Sequence, residues 1–395
     1  MRDDMLLDGD QGNIEDEDDF GSKVAEYDNL SLTASDWTIE TLFGQIDKGN
    51  IELSPSFQRR EVWDSKKKSL FIESLILGIP VPQIVIAQKK DRRGKYLVLD
   101  GKQRLLSIYE YYLGEFQLSS LLLLEDLNGC EIDDLAESYR DRLDNSTIRT
   151  VRLSGWDSDS ILYTIFHRLN TGSVQLNTQE LRSALFPGPF TSFASSFTEE
   201  NLEFASLFNR RAAAPDFRMR DVELLTRYCG ITRRVTSYKG NLKLFLDDTT
   251  KWLNSIDNAD MYLSYAKEAL ASIELCGRMY ARISNNLNCD AIPAFTLLQA
   301  GRGYRFNRAV FDALCYPLQD SAVRDEVSKR IDRIAEQGQN LLSSDEFISV
   351  CSSSTKTPKS LVSRVDMWSS LLADELHMQV MSLKYSGGEA IECSI

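Results

Sequence analysis

The chain has 395 residues and a formal net charge of −14, and 43% of its residues are hydrophobic and 26% charged. Those proportions supply enough apolar surface for a sizeable core, so a mainly disordered chain is excluded. The acidic net charge also excludes a protein that binds nucleic acid over a uniformly basic surface, although it is compatible with a local basic groove.

Two further features bear on the compartment. No apolar run approaches the roughly 20 residues that span a bilayer, and the acidic start MRDDMLLDGD lacks the basic and apolar segments of a signal peptide. The seven cysteines are odd in number and include no C-x-x-C pair, so neither a disulfide framework nor a zinc site is indicated. We therefore expect a soluble, cytoplasmic protein with reduced thiols and no membrane partner.

The first 20 residues concentrate negative charge. They contain nine acidic residues and one basic residue, which sum to −8, so the rest of the chain carries about −6. We expect residues 1–30 to form a solvated, flexible tail. A tail that mimics DNA or contacts a partner protein is the alternative.

Residues 31–189 have the pattern of a small α/β domain. A hairpin is predicted over 83–99, because two apolar runs flank the turn Asp91-Arg92-Arg93-Gly94. The predicted strands are Ile51–Leu53, Gln83–Gln88, Tyr96–Leu99 and Thr147–Leu153. The predicted helices are Thr38–Lys48, with Ser35 or Asp36 as its cap, then Lys66–Leu77, Lys102–Leu113, Ser158–Asn170 and Thr178–Leu185.

Residues 190–395 are overwhelmingly helical in pattern. The predicted helices are Val222–Cys229, Leu242–Leu246, Asn258–Ile283, Arg308–Leu318, Val323–Gln337 and Leu361–Met381. Together the two patterns predict an α+β fold, in which a small α/β N-terminal domain precedes a mostly helical C-terminal domain.

The first candidate site is the turn between the strand Tyr96–Leu99 and the next helix. Gly101 lets an anion approach the backbone, and the helix N-terminus offers unpaired N–H groups and a partial positive charge. Arg104 can form a bidentate fork to phosphate, Gln103 can orient a water or ligand, and Asp100 can hold Mg²⁺ on the phosphates. A capped helix start with a surface Arg–Asp pair is the alternative.

The second candidate is the loop from Phe57 to Trp63, which contains Gln58, Arg59 and Arg60. Planar guanidinium groups bind phosphate, and flanking aromatic rings can pack or stack against a ligand. In the alternative, Phe57 and Trp63 anchor the core and the arginines are surface charges.

The third candidate is the helix end at Phe166–Gly172. His167, Arg168 and Asn170 offer hydrogen-bond donors and a proton carrier if this turn faces the site. An ordinary helix C-cap at Asn170-Thr171-Gly172 is the alternative.

A basic cluster at 301–308 is a candidate nucleic-acid contact. Arg302, Arg305 and Arg308 alternate with aromatic residues, which suits a grip on a phosphate backbone with base stacking. An interhelical loop with solvated arginines is the alternative.

The motifs together resemble one family. Over about residues 35–190, their order and spacing are similar to the N-terminal domain of the GmrSD-type, modification-dependent restriction family. The matching motifs are Phe57-Gln58-Arg59-Arg60-Glu61-Val62-Trp63, Gly78-Ile79-Pro80-Val81-Pro82, Asp100-Gly101-Lys102-Gln103-Arg104, Arg168-Leu169-Asn170-Thr171-Gly172 and Glu180-Leu181-Arg182.

The resemblance implies a ParB/sulfiredoxin-like fold that binds, and in our prediction hydrolyses, a nucleoside triphosphate in order to control a DNA-directed response against phage. The catalytic residues that it implies are Asp100, Gln103, Arg104 and Gln58. The residues implied for phosphate binding are Arg59, Gly101, Lys102, Arg104 and Asn170, with Mg²⁺ at Asp100.

Two departures from the family pattern separate the alternatives. Lys102 replaces the first glutamine of the usual Asp-Gly-Gln-Gln-Arg motif. A lysine at this position keeps affinity for phosphate, but it puts in doubt the water-orienting role of the glutamine. No C-terminal His-Asn-His nuclease motif is found, and His377 has no histidine partner nearby in sequence. The chain is therefore predicted to act as an NTPase; the alternatives are a DNA nuclease that uses the same pocket and a non-catalytic sensor or regulator that binds a separate effector protein. We also expect a homo-oligomer.

Overall fold

The computed structural model describes residues 27–53, 63–90, 92–156, 158–169, 178–208, 215–216, 218–287, 289, 291–298 and 304–395. The chain divides between Leu185 and Phe186 into two compact units, which we call the N-terminal unit and the helical unit. The N-terminal unit mixes strands and helices and the other is mostly helical, so the predicted α+β class is confirmed. None of the helices in the described residues combines the length and the apolar sequence that a bilayer span requires.

The N-terminal unit alternates strands and helices along the chain. Its elements are β1 (Ser31–Thr38), α1 (Ile39–Asp47), β2 (Ile51–Glu52), α2 (Ser65–Leu77), β3 (Ile84–Gln88), β4 (Tyr96–Asp100), α3 (Lys102–Tyr112), α4 (Glu137–Asn145), β5 (Thr147–Ser154), α5 (Asp159–Leu169) and α6 (Thr178–Leu185).

The five strands form one mixed sheet in the order β1-β5-β3-β4-β2. Strand β2 is parallel to β4 and β3 is parallel to β5, whereas β3 and β4 are antiparallel. The strands β2 and β4 therefore run toward one edge, where β4 ends at Asp100, and β3 and β5 run toward the opposite edge, near Trp156. We call these the Asp100 edge and the Trp156 edge.

Helices cover both faces of the sheet, and the strands are accordingly apolar on both sides. On one face, Ile84, Ile86 and Val98 pack with residues of α1, α2 and α3. On the other, Ala87 and Leu99 pack with residues of α5 and α6. The core thus holds the β4–α3 turn between two apolar layers.

The limits of α2 follow the predicted capping signals. Asp64 accepts the Lys67 N–H at its N-terminus, and Gly78 ends it in the left-handed conformation. The predicted cap of α1 is wrong, since Ser35 lies in β1 and Thr38 accepts the Thr41 N–H instead. The segment 31–38 forms an edge strand because its backbone pairs with β5 along its whole length.

A buried carboxylate on α2 fixes the loop that follows α3. Glu73 is 4% exposed, and its Oε1 accepts the backbone N–H groups of Leu122, Leu123 and Leu124 at 3.0, 2.7 and 2.8 Å. A carboxylate that receives several N–H donors forms charge-assisted hydrogen bonds, which are stronger than neutral ones. The loop is thereby tied to the helix that leads from Trp63.

Replacing Glu73 by alanine should release this loop. We expect the amides of Leu122–Leu124 to exchange with deuterium about tenfold faster or more, because each charge-assisted bond contributes about 1.5–3 kcal/mol. Glu73→Gln keeps one acceptor oxygen and should lie between wild type and alanine. Glu115→Ala, at an exposed position, should leave exchange unchanged. Wild-type exchange in Glu73→Ala would contradict the assigned role.

The helical unit contains the remaining elements. These are α7 (Pro189–Glu200), α8 (Glu203–Ser206), α9 (Arg220–Arg234), α10 (Leu242–Asn254), α11 (Ala259–Asn286), α12 (Arg308–Cys315), α13 (Ser321–Lys329), α14 (Ile331–Leu342), α15 (Asp345–Ser352), α16 (Pro358–Leu376), β6 (Met381–Ser386) and β7 (Glu389–Ser394).

The end of the chain departs from the predicted helix over 361–381. Helix α16 ends at Leu376 with His377 in the left-handed conformation, and β6 and β7 form an antiparallel hairpin. Gly387 and Gly388 both have positive φ at its turn, as a two-residue hairpin connection requires. The Gly-Gly pair was the sequence signal for this hairpin.

A buried ion network holds three helices of this unit together. Asp312 on α12 accepts two bonds from Arg227 on α9, at 2.6 and 2.7 Å, and one from Arg364 on α16, at 3.2 Å. All three residues are at most 2% exposed. Burial by itself lowers the pKa of Arg227, but the carboxylates of Asp312 and Glu223 together outweigh burial and raise that pKa above its ordinary value.

Replacing Asp312 by alanine removes a carboxylate whose side chain is 0% exposed. Two buried guanidinium groups are then left without their shared counter-charge. We expect the free energy of unfolding to fall by about 3–5 kcal/mol, as for other broken buried pairs, measured by denaturant titration followed by circular dichroism. The control is Asp332→Ala, which breaks an exposed pair with Arg282 and should change stability by about 1 kcal/mol or less. Equal losses in both variants would contradict the role given to the network.

Candidate functional site

The β4–α3 turn at the Asp100 edge has a backbone that requires glycine. Gly101 has φ +92° and stands at the N-cap position of α3, with no side chain capping the helix. A Cβ at this position would lie 2.9 Å from Ile84 Cγ1 and 3.1 Å from Arg104 Nη2. The glycine thus allows the left-handed turn and also makes room for the guanidinium of Arg104.

Arg104 folds back beneath this turn. Its Nη2 donates to the Gln83 carbonyl at 2.9 Å and to Asp100 Oδ2 at 3.1 Å, while Asp100 Oδ1 accepts the Gly101 N–H at 2.7 Å. The Nε of Arg104 is buried and has no hydrogen-bond partner in the described residues. The Arg–Asp pair that was the alternative reading of the motif is therefore present, and it leaves guanidinium donors unused.

The second candidate loop follows a strand that runs toward this turn, and the loop ends beside the turn. Strand β2 is parallel to β4 and ends at Glu52, which lies opposite Leu97, so the chain leaves β2 in the direction of the Asp100 edge. After the loop, the Trp63 N–H donates to Gln103 Oε1 at 3.3 Å. Gln58 and Arg59 themselves lie outside the described residues, and the geometry of their side chains stays a prediction.

Other residues that were predicted for this site have different outcomes. Lys102 is 9% exposed and Gln103 is half-buried, so both side chains lie close against the unit. Asn170 lies outside the described residues, as does the Asn-Thr-Gly turn that it begins.

A buried ion pair between α2 and the last turn of α3 escaped the sequence prediction. The run Lys66-Lys67-Lys68 has the pattern of a solvated helix face, yet Lys68 is 5% exposed and its Nζ lies 2.7 Å from Glu110 Oε2. The pair joins α2, which follows the second candidate loop, to α3, which follows Gly101. It thereby fixes the relative position of the two helices that flank the candidate site.

The metal predicted at Asp100 has limited support from protein ligands. In the described part of the chain, no group of three or more His, Cys, Asp or Glu side chains is close enough to hold an ion. Both carboxylate oxygens of Asp100 already accept hydrogen bonds. Mg²⁺ in proteins is commonly held by one or two carboxylates together with substrate phosphates, and the residues fit only an ion of that kind.

The three arginines that were predicted to contact a nucleic acid have different outcomes. Arg302 lies outside the described residues, and Arg305 is exposed. Arg308 is 2% exposed and its Nε lies 3.0 Å from Glu223 Oε1. The prediction that Arg308 contacts a nucleic acid is therefore wrong, because its side chain forms a buried ion pair between α12 and α9. The Arg–aromatic alternation did not reveal this, because Glu223 lies 85 residues earlier.

Comparison with known proteins identifies the N-terminal part of the chain. Residues 39–187 match the family model described as the GmrSD restriction endonuclease, N-terminal domain. No curated protein and no solved structure matched the chain. The matched span runs from the start of α1 past the end of α6 and includes the Asp100–Arg104 turn. Residues 39–187 therefore belong to the family of GmrSD restriction endonuclease N-terminal domains, a restriction-related family.

Proposed function

We propose that the Asp100 edge of the N-terminal unit binds and hydrolyses a nucleoside triphosphate, and that this event controls a DNA-directed response against phage. The observation that carries the proposal is the turn from Asp100 to Arg104. There a left-handed glycine, an uncapped helix N-terminus and an arginine with unused donors occupy the same few residues. These are the elements of an anion site.

The second candidate loop supplies the other half of the proposed pocket. Strand β2, which precedes this loop, runs toward the Asp100 edge, and the N–H of Trp63, the last residue of the loop, donates to Gln103. In the proposal, the two arginines of the loop reach the phosphates that are bound at this turn. In the proposal, Arg59 and Arg104 therefore share the neutralisation of phosphate charge.

The remaining roles follow from donor and acceptor chemistry. The N–H groups of the first turn of α3 donate to phosphate oxygens, and Gly101 permits their close approach. Gln58 and Gln103 orient the ligand or a water, and Asn170 adds a further donor. Mg²⁺ bound with the nucleotide would neutralise phosphate charge. Asp100 faces that ion or polarises water once Arg104 has turned its donors to the phosphates.

Arg104→Ala should lower phosphate release from the preferred nucleoside triphosphate by about tenfold or more, because a charge-assisted bond of this kind is worth about 1.5–3 kcal/mol. Arg104→Lys keeps the positive charge but loses the two-pronged guanidinium, so its rate of phosphate release should lie between those of wild type and Arg104→Ala. The assay uses the full chain with each nucleoside triphosphate, with Mg²⁺ or with a chelator. Chelation should abolish release.

Arg142→Ala is the matched control, since Arg142 is an exposed arginine of the same unit. Its phosphate release should equal that of wild type, and circular dichroism should show all three variants folded. Equal rates in Arg104→Ala and wild type would contradict the proposed pocket. Nucleotide binding without any phosphate release would contradict hydrolysis and leave only a sensor.

A further inference from the structure

The β3–β4 hairpin ends in a concentrated positive charge. Five of the seven residues from Lys89 to Lys95 are basic and one, Asp91, is acidic. We call this segment the basic hairpin tip. The segment therefore has a formal charge of +4 in a chain whose net charge is −14, and it belongs to none of the motifs that point to the Asp100 edge.

Backbone hydrogen bonds order the described residues of the tip, which are 89, 90 and 92–95. The Lys89 N–H donates to the Lys95 carbonyl at 2.8 Å, and the Lys95 N–H donates to the Arg92 carbonyl at 3.2 Å. Gly94 has φ +82°, which closes the turn. Cations on a pre-ordered turn bind a partner with little loss of backbone entropy.

The basic side chains of the tip differ in their surroundings. Lys89 pairs with Glu52 at 2.6 Å, whereas Lys95 donates to the Gly49 carbonyl at 2.9 Å and keeps its net charge. Arg92 and Arg93 are exposed, and no ion pair joins Arg93 to a described residue. Positive charge is therefore presented to solvent at the end of the hairpin.

A buried tryptophan positions Lys90 beside a cleft. The Trp156 indole N–H donates to the Gln88 carbonyl at 2.8 Å, and the Lys90 ammonium lies 4.3 Å from the centre of the indole ring. Lys89, Lys90 and Trp156 help to line a shallow cleft of about 280 Å³. The cation–π contact orders the Lys90 ammonium group. The Lys90 side chain remains 44% exposed, and its Nζ lies 4.0 Å from Asp159 Oδ1.

The tip is separate from the proposed nucleotide pocket. It lies at the Trp156 edge, where β3 ends and β4 begins, whereas Asp100 is the last residue of β4. The five residues of β4 span about 17 Å at the usual rise of a strand. A ligand at one edge therefore leaves the other edge accessible.

We propose that the basic hairpin tip binds the sugar–phosphate backbone of duplex DNA, with Lys90, Arg92 and Arg93 as the phosphate contacts. Contact is to phosphate rather than to bases, because Trp156 is 7% exposed and Lys90 covers its ring. Binding is accordingly independent of DNA sequence and depends strongly on salt. The choice of DNA as the polyanion rests on the restriction-related function proposed above, and the site itself does not require nucleotide hydrolysis.

The test is fluorescence anisotropy of a labelled duplex of roughly 30 base pairs, titrated with the full chain between about 50 and 200 mM salt. Wild type should bind without nucleotide. Arg92→Ala with Arg93→Ala should reduce the slope of log affinity against log salt by about 2, since two phosphate contacts are lost. Arg92→Glu with Arg93→Glu should weaken binding by about tenfold or more.

The control for net charge is Arg278→Glu with Arg282→Glu, two exposed positions on α11 that change the charge by the same amount. This variant should keep its affinity within about twofold of wild type if the tip is the contact. Loss of affinity equal to that of the tip variant would overturn the proposal, as would unchanged binding by the tip variants or no duplex binding by wild type. Tighter binding of single-stranded DNA or RNA of the same sequence would overturn duplex DNA as the partner.

Phosphate release measured on the same samples separates this proposal from the proposed function. The tip variants should release phosphate at the wild-type rate, and Arg104→Ala should bind duplex DNA as wild type does. Failure of hydrolysis in every sample would leave the DNA result standing by itself. Loss of both activities in the tip variants, with folding intact, would overturn the independence of the two edges.

Discussion

The left-handed backbone at Gly101 is the constraint on which the Asp100 edge depends. It ends β4, starts α3 without a capping side chain, and leaves space for Arg104 to lie under the turn. Asp100 then accepts from both Gly101 and Arg104, so three residues of one pentapeptide stabilise each other. This pairing also restrains the arginine. A phosphate that competes for Arg104 has to replace an ion pair within the protein, and the unused Nε gives it a donor that Asp100 does not occupy.

The mixed sheet gives these local features their arrangement. Because β2 and β4 are parallel, the chain leaves β2 in the direction of the Asp100 turn, and the arginine-containing loop that follows ends at Trp63, beside that turn. Because β3 and β4 are antiparallel, their connecting turn with its five basic residues is directed to the opposite edge. One sheet thus separates two cationic regions of different chemistry. Backbone N–H groups and a recessed arginine suit the compact phosphates of a nucleotide, whereas exposed arginines on a rigid turn suit an extended polyanion.

Features set by neighbouring residues were predictable from the sequence, and features set by distant ones were not. The caps of α2 at Asp64 and Gly78, and the hairpin of β3 and β4, depend on short-range signals and were predicted. Strand β1 was missed because its residues are mostly exposed and its order comes from pairing with β5. The burial of Lys68 and of Arg308 was missed for a related reason, since Glu110 and Glu223 lie 42 and 85 residues away in the chain. In the candidate site, the motif order gave the turn and its glycine, whereas the engagement of Arg104 by Asp100 and Gln83 required the structure.

Hydrogen–deuterium exchange with and without a nucleoside triphosphate and Mg²⁺ tests the central claim most directly. The account predicts slower exchange at the amides of Lys102, Gln103 and Arg104 when nucleotide is present, because those N–H groups then donate to phosphate oxygens. The amides of the basic hairpin tip should exchange as before, since the tip lies at the other edge of the sheet. Protection that is absent from the first turn of α3 and present only elsewhere in the chain would contradict the account.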